Sequence, residues 1–115
     1  MVRHARQMVR EGRLGEIRLV QVEYPQDWLT EPLERSGQKQ AAWQTDPARS
    51  GAGGAIGTHA HQLAAYVTGL ELDEVCAQLS RFVKGRALDD DAQVILRYRN
   101  GARGLPWASQ VAPGQ

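Results

Sequence analysis

Cysteine is almost absent from this chain: Cys76 is the single one among 115 residues. That excludes an internal disulfide framework and fits a reducing, cytoplasmic setting. Aromatic residues are scarce too, at 6%. They are not interleaved with basic residues, so no stacking platform for nucleic acid is legible. Neither charge sign dominates, since 14 Lys and Arg stand against 13 Asp and Glu for a net +1. A nucleic-acid partner, which rewards concentrated positive charge, is therefore not expected. No apolar run approaches the roughly 20 residues of a membrane span, and the N-terminus carries no signal-peptide apolar region. No membrane association is expected.

What remains is ordinary for a globular protein: 42% hydrophobic and 23% charged residues. At this length the expectation is one small domain over residues 1–115, with core enough to fold and little to spare. Val2 to Glu11 reads as a helix stopped by Gly12 or Gly15, with Arg3, Arg6, Arg10 and Arg13 on one face. That arginine stripe could contact an anion; the solvated-face reading is preferred. Glu16 to Tyr24 alternates as a strand, with Val20, Val22 and Tyr24 on one side. Pro25 to Arg49 has weak periodicity and reads as a long surface excursion.

Beyond it, Thr58 to Thr68 reads as a second helix ended by Gly69, its inward stripe being Leu63, Tyr66, Val67 and Leu70. Glu74 to Val83 and Ala92 to Arg99 alternate as strands. Asn100-Gly101 is a hairpin signal leading to a last strand from Ala102 to Gln110, whose Pro106 suggests an edge or a bulge. The implied fold is α+β: a small, mostly antiparallel sheet with helices on one face, completed by oligomerisation.

The segment Ser50-Gly-Ala-Gly-Gly-Ala-Ile-Gly-Thr-His-Ala-His61 is the most distinctive in the chain. Its glycines invite a dinucleotide-binding reading. However, Ile56 stands where the third glycine of Gly-x-Gly-x-x-Gly belongs, and no strand precedes Gly51. A nicotinamide site within this chain is rejected on those grounds, and the glycines are read as a tight backbone turn before the helix.

His59 shares the stripe of Leu63 and Tyr66 and reads either as a half-buried structural histidine or as a general acid/base. His59 and His61 form a His-x-His pair. Two residues apart on a helix means roughly 200° of rotation, so one zinc ion could be shared only if the helix began after His61. His4, Cys76, Asp46 and the Asp89-Asp90-Asp91 run offer third ligands without diagnostic spacing. The three aspartates read as a solvated turn, Cys76 as structural, and Trp28, Trp43 and Trp107 as packing groups.

Several stretches resemble the Gfo/Idh/MocA oxidoreductases: Ala5 to Ile17, Trp43-Gln-Thr-Asp-Pro47, Gly53-Gly-Ala-Ile-Gly-Thr-His59 and Ala64-Ala-Tyr-Val-Thr-Gly69. The resemblance runs over nearly the whole chain. It corresponds to the first part of that family's C-terminal α+β domain, which binds substrate and whose open sheet mediates oligomerisation. Nothing here resembles the family's Rossmann domain or its Glu-Lys-Pro motif. The family pattern Asp-x-Gly-x-His is met by His59, but Ala55 stands where the aspartate belongs. The glycine segment is also a few residues short of the pattern. Gln44 and Gln62 likewise replace residues common in the family. Only His59 carries over as a catalytic candidate.

The resemblance thus implies a stand-alone remnant of a substrate-binding and oligomerisation domain, a homo-oligomer taking a small-molecule substrate. It would hold no NAD(P) and would not perform redox chemistry alone. The alternative expectation is a metal-dependent hydrolase of activated esters or phosphoesters, with His59 and His61 holding a divalent metal such as zinc at a subunit interface.

Overall fold

A computed structural model describes residues 1–46, 48 and 51–114, without the side chain of Gln44. Pro47 of the Trp43–Pro47 motif, Arg49 at the end of the expected excursion, and Ser50 at the head of the glycine segment lie outside the described residues.

Helix α1 spans Val2–Arg10. It stops because Gly12 takes φ +70, a conformation that costs glycine little. There the Gly12 amide donates to the Val9 carbonyl and the Arg13 amide to the Met8 carbonyl, both at 3.0 Å. These two bonds satisfy carbonyls the helix leaves open, in the Schellman pattern. Strand β1 follows at Leu19–Pro25.

The stretch expected to be a surface excursion is partly structured. A 3₁₀ turn at Leu33–Arg35 and a short helix α2 at Lys39–Gln44 interrupt it. Leu29 and Ala41 within it are fully buried. Periodicity is weak there because single anchors, not a continuous apolar face, tie the segment down.

Helix α3 spans Thr58–Thr68, with the predicted boundaries, and Gly69 caps it at φ +67 while donating to the Ala65 carbonyl at 2.9 Å. The expected inward stripe is displaced. Ala60 and Ala64 are the buried residues of α3, whereas Leu63 and Tyr66 are exposed. Two alanines on one face let the helix backbone approach the sheet closely, which larger side chains would prevent.

Strands β2 (Leu72–Ser80), β3 (Asp91–Tyr98) and β4 (Arg103–Ser109) complete a four-stranded mixed sheet in the order β1-β4-β3-β2. The β2–β3 and β3–β4 pairs are antiparallel, and β1 lies parallel to β4. The β3–β4 hairpin turns through Arg99-Asn100-Gly101, with Gly101 at φ +91. Within the turn the Gly101 amide donates to the Tyr98 carbonyl, and the Ala102 amide to Asn100 Oδ1, each at 3.0 Å.

Pro106 lies in the central strand β4 and not at an edge, contrary to expectation. Register is the same on both sides of it: Gln93 faces Trp107 and Leu96 faces Gly104. The β3–β4 pairing simply lapses between those points, which removes the need for the N–H that proline lacks. No bulge is required.

Leu96, Tyr98 and Ala102 form the core cluster, with Val20, Leu70, Leu72 and Val94 packed against it. Gly104 makes room for them, since a Cβ there would come within 3.0 Å of Leu96 and 3.1 Å of the Tyr98 ring. Helix α3 packs over β1 and β4 and contacts α1. The same side of β2 and β3 is left open, and Val75 and Leu79 remain exposed on it.

Candidate functional site

The glycine segment is helical. Gly53–Gly57 forms a π-helical turn continuous with α3, and Ala52, Gly57 and Thr58 all have right-handed helical dihedrals. The Ala55 amide donates to the Gly51 carbonyl at 2.7 Å and the Thr58 hydroxyl to the Gly54 carbonyl at 3.1 Å. His59 therefore lies more than a turn inside a continuous helical rod. Single π turns of this kind recur at functional sites.

Gly51 has a separate task. A Cβ at this position would collide with the side chain and carbonyl of Asp89. The next amide, of Ala52, donates to the Asp89 carbonyl at 2.8 Å. Gly51 is thus where the helical rod docks against the start of β3.

His59 is exposed, contrary to the inward placement expected from its stripe. Its imidazole lies against the Tyr24 ring in a T-shaped contact, with centroids 6.4 Å apart and planes inclined by 67°. Tyr24 stands at the C-terminal end of β1, opposite Ala108 of β4. An imidazole and a phenol thus share one exposed spot at the C-terminal end of the parallel strand pair. Two helical turns further along α3, the Arg6 guanidinium lies 4.3 Å from the centre of the Tyr66 ring. This cation–π contact clamps α1 to α3 and gives one residue of the arginine stripe a structural task.

His61 points elsewhere. With Gly57 it lines an open, largely apolar groove of about 320 Å³ over Val75, Ala77, Leu79 and Val94. Because both histidines lie on α3, their rings diverge as two helical residues must. Among the described residues no group of three or more His, Cys, Asp or Glu could hold a metal ion. The metal-hydrolase expectation finds no support in this arrangement. Cys76 sits on the opposite sheet face, beside Gln78, Gln93 and Ile95.

The aspartate run is not a solvated turn. Asp90 is fully buried and accepts hydrogen bonds from the amides of Phe82 at 2.8 Å and Val83 at 3.0 Å. Arg86 Nη1 reaches it at 3.2 Å. The same guanidinium donates to Glu34 through Nε at 2.9 Å and to the Leu29 carbonyl through Nη2 at 2.8 Å. Asp91, also buried, accepts from the Trp107 indole at 2.9 Å. The sequence carries one trace of this knot, an Arg and an Asp four apart. That spacing is informative on helices, and this segment is not one.

A pyrophosphate cradle is built at a strand-to-helix turn, whereas here the glycine turn is itself helical, with the Ala55 amide bonded to the Gly51 carbonyl and the Ala52 amide to the Asp89 carbonyl.

Comparison with known proteins agrees with this geometry. The profile of the GFO/IDH/MocA C-terminal domain matches residues 2–115. An uncharacterized oxidoreductase of Bacillus subtilis is 31% identical over 99% of the chain and 30% of its own length. A Sinorhizobium meliloti oxidoreductase of known structure is 49% identical, with a TM-score of 0.80, over the whole chain and 28% of that protein. An inositol dehydrogenase homolog from Azotobacter vinelandii, solved with NADH and myo-inositol, is 32% identical with a TM-score of 0.86, over 99% of this chain and 29% of that one. The chain therefore spans about 30% of the length of the relatives it matches. On fold, sequence and extent of match together, it belongs to the Gfo/Idh/MocA oxidoreductase family as a C-terminal domain.

Proposed function

We propose that this chain is the substrate-side domain of a polyol or sugar oxidoreductase, that His59 handles the proton of the substrate hydroxyl, and that the chain performs no redox reaction by itself. The observation that carries this reading is the exposed His59 beside Tyr24, at the C-terminal end of the parallel strands. A neutral imidazole accepts a hydroxyl proton near neutral pH. The Tyr24 phenol, beside that ring, supplies a further donor and acceptor for a polyhydroxylated ligand. A cyclic polyol fits as ligand class because a similar structure holds myo-inositol. Binding and redox chemistry of a nicotinamide are assigned to protein outside residues 1–115, since the glycine turn here offers no cradle.

NMR titration of the chain with myo-inositol, and separately with NADH, tests the reading. The expected result is movement of the His59 and Tyr24 resonances at millimolar polyol, lost in His59→Ala, with no response to NADH. Polyol binding unchanged in His59→Ala would overturn the assignment of the site. Reduction of NAD⁺ by the chain and a polyol alone would overturn the division of labour.

A further inference from the structure

Helix α3 is seated on the sheet by two methyl groups, since Ala60 and Ala64 are its buried residues. An alanine seat brings the helix close. It also presents shallow ridges, which do little to resist rotation of the helix about its axis. Rotation matters for the site, because His59 leaves the helix one position, about 100°, from Ala60 and swings with it.

What opposes rotation lies on one flank. His59 and Tyr66 are seven residues apart, two turns less about 20°, so their rings leave the same side of α3. Each ring meets a different element. His59 lies against Tyr24 of β1, and Tyr66 lies under the Arg6 guanidinium of α1. The other flank, with His61, faces the apolar groove. Helix α1 is not free to follow α3 around. Its C-terminus is closed by the Gly12 and Arg13 amides, and its connection to β1 is pinned by the Arg103 amide, which donates to the Arg18 carbonyl at 3.0 Å.

We propose that Arg6 and Tyr66 are positioning residues for His59: their cation–π contact sets the rotation of α3 and so holds the imidazole against Tyr24. The role of His59 toward a hydroxyl ligand is the site reading given above, on which this inference rests. A cation–π contact suits the task because the guanidinium must stay over the ring face. At the 5–6 Å radius of a helix with its side chains, a 20° turn moves each ring sideways by about 2 Å. That displacement loses the contact at Tyr66 and misplaces the imidazole two turns away.

NMR of the chain, with and without myo-inositol, tests the clamp. Arg6→Met keeps a long stem and removes the cation, and Tyr66→Leu removes the ring. Each should weaken the cross-relaxation between the His59 and Tyr24 ring protons by about half or more. Each should also raise the myo-inositol Kd about threefold or more, the scale of one cation–π contact. Tyr66→Phe and Arg6→Lys keep a cation over a ring and should stay near wild type. Gly101→Ala controls for stability alone: it strains the β3–β4 turn, where φ is +91, and should leave both readings unchanged. Arg6 is half-buried and Tyr66 exposed, and circular dichroism checks the fold of each variant.

Cross-peaks and Kd unmoved by Arg6→Met and Tyr66→Leu would overturn the proposal. So would Tyr66→Phe behaving like Tyr66→Leu, or Gly101→Ala reproducing the loss. A wild type that takes no myo-inositol would overturn the site reading alone, because the cross-peaks are read without ligand and still decide the clamp.

Discussion

Arg86 grips Glu34 from 52 positions away in sequence, Nε to Oε1 at 2.9 Å and Nη2 to Oε2 at 3.1 Å. The same guanidinium reaches Asp90 at 3.2 Å. The Arg86 and Asp90 side chains are 1% and 0% exposed. One planar fork therefore ties the 26–46 segment to the turn before β3, a geometry suited to arginine and not to lysine.

Removing that fork should be costly. Arg86→Leu leaves the buried Asp90 without its ion-pair partner and removes the bonds to Glu34, and a broken buried pair costs about 3–5 kcal/mol. Arg86→Lys should recover only a minor part, because an ammonium cannot span both carboxylates and the Leu29 carbonyl. Urea denaturation of the two variants checks both statements. A loss under about 1 kcal/mol for Arg86→Leu would show that the knot closes without stabilising.

The Arg86 hydrogen bond holds the Glu34 carboxyl below the usual glutamate range, against the opposing effect of burial. A lowered folded value means that the folded state favours the ionised form. The stability from this group is thus fully present above the ordinary glutamate pKa of about 4.3 and is lost as pH falls through the lower folded value. Wild type should therefore lose more stability than Glu34→Gln as pH falls below the ordinary glutamate value. Urea midpoints measured as the pH is lowered give the difference, and identical pH slopes would contradict it.

Two glycines of the helical entry should respond oppositely to alanine. Gly51→Ala drives a methyl into Asp89, side chain and backbone together, and should cost about 1–3 kcal/mol as overpacking does. At Gly57 the nearest atoms to a Cβ are at 3.7 and 3.8 Å, ordinary contact distances, and the backbone is already right-handed helical. Gly57→Ala should be neutral or stabilise by up to about 1 kcal/mol, the helix-propensity difference. Thermal melts decide it, and equal losses at the two sites would refute this account of the segment.

At the β3–β4 turn, Gly101 has φ +91, and a Cβ added there would meet nothing within 4 Å. Any loss in Gly101→Ala is then backbone strain without steric clash, expected at about 1 kcal/mol or more. Hydrogen exchange at the Tyr98 amide, which donates to the Ala102 carbonyl across the turn, should quicken in step with that loss.

Much of the architecture was legible in the order of residues. The limits of α3, its Gly69 cap and the Asn100-Gly101 hairpin rest on backbone preferences acting within a few positions. Strand alternation in β3 survives intact, with Ala92, Leu96 and Tyr98 buried and Gln93, Ile95 and Arg97 exposed. Misread features shared one property: each depended on a distant neighbour. Asp90 looked like a solvated acid until Arg86 and two amides surrounded it. Pro106 looked like an edge residue until β1, arriving from 84 positions earlier at Val22, covered its other side. Leu63 and Tyr66 looked like core because size and spacing said so, yet close packing of α3 on the sheet used Ala60 and Ala64.

The candidate site divides in the same way. The family resemblance makes His59 the residue to watch, and helix geometry shows that two histidines two positions apart diverge. Folding supplied what no local pattern encodes: Tyr24 beside that imidazole, His61 over a different groove, and a glycine segment wound into the helix instead of looping around a cofactor. Backbone dihedral preferences act between neighbours and can be read along the chain. Which atoms become buried partners depends on contacts closed across dozens of residues, and those exist only once the sheet has assembled.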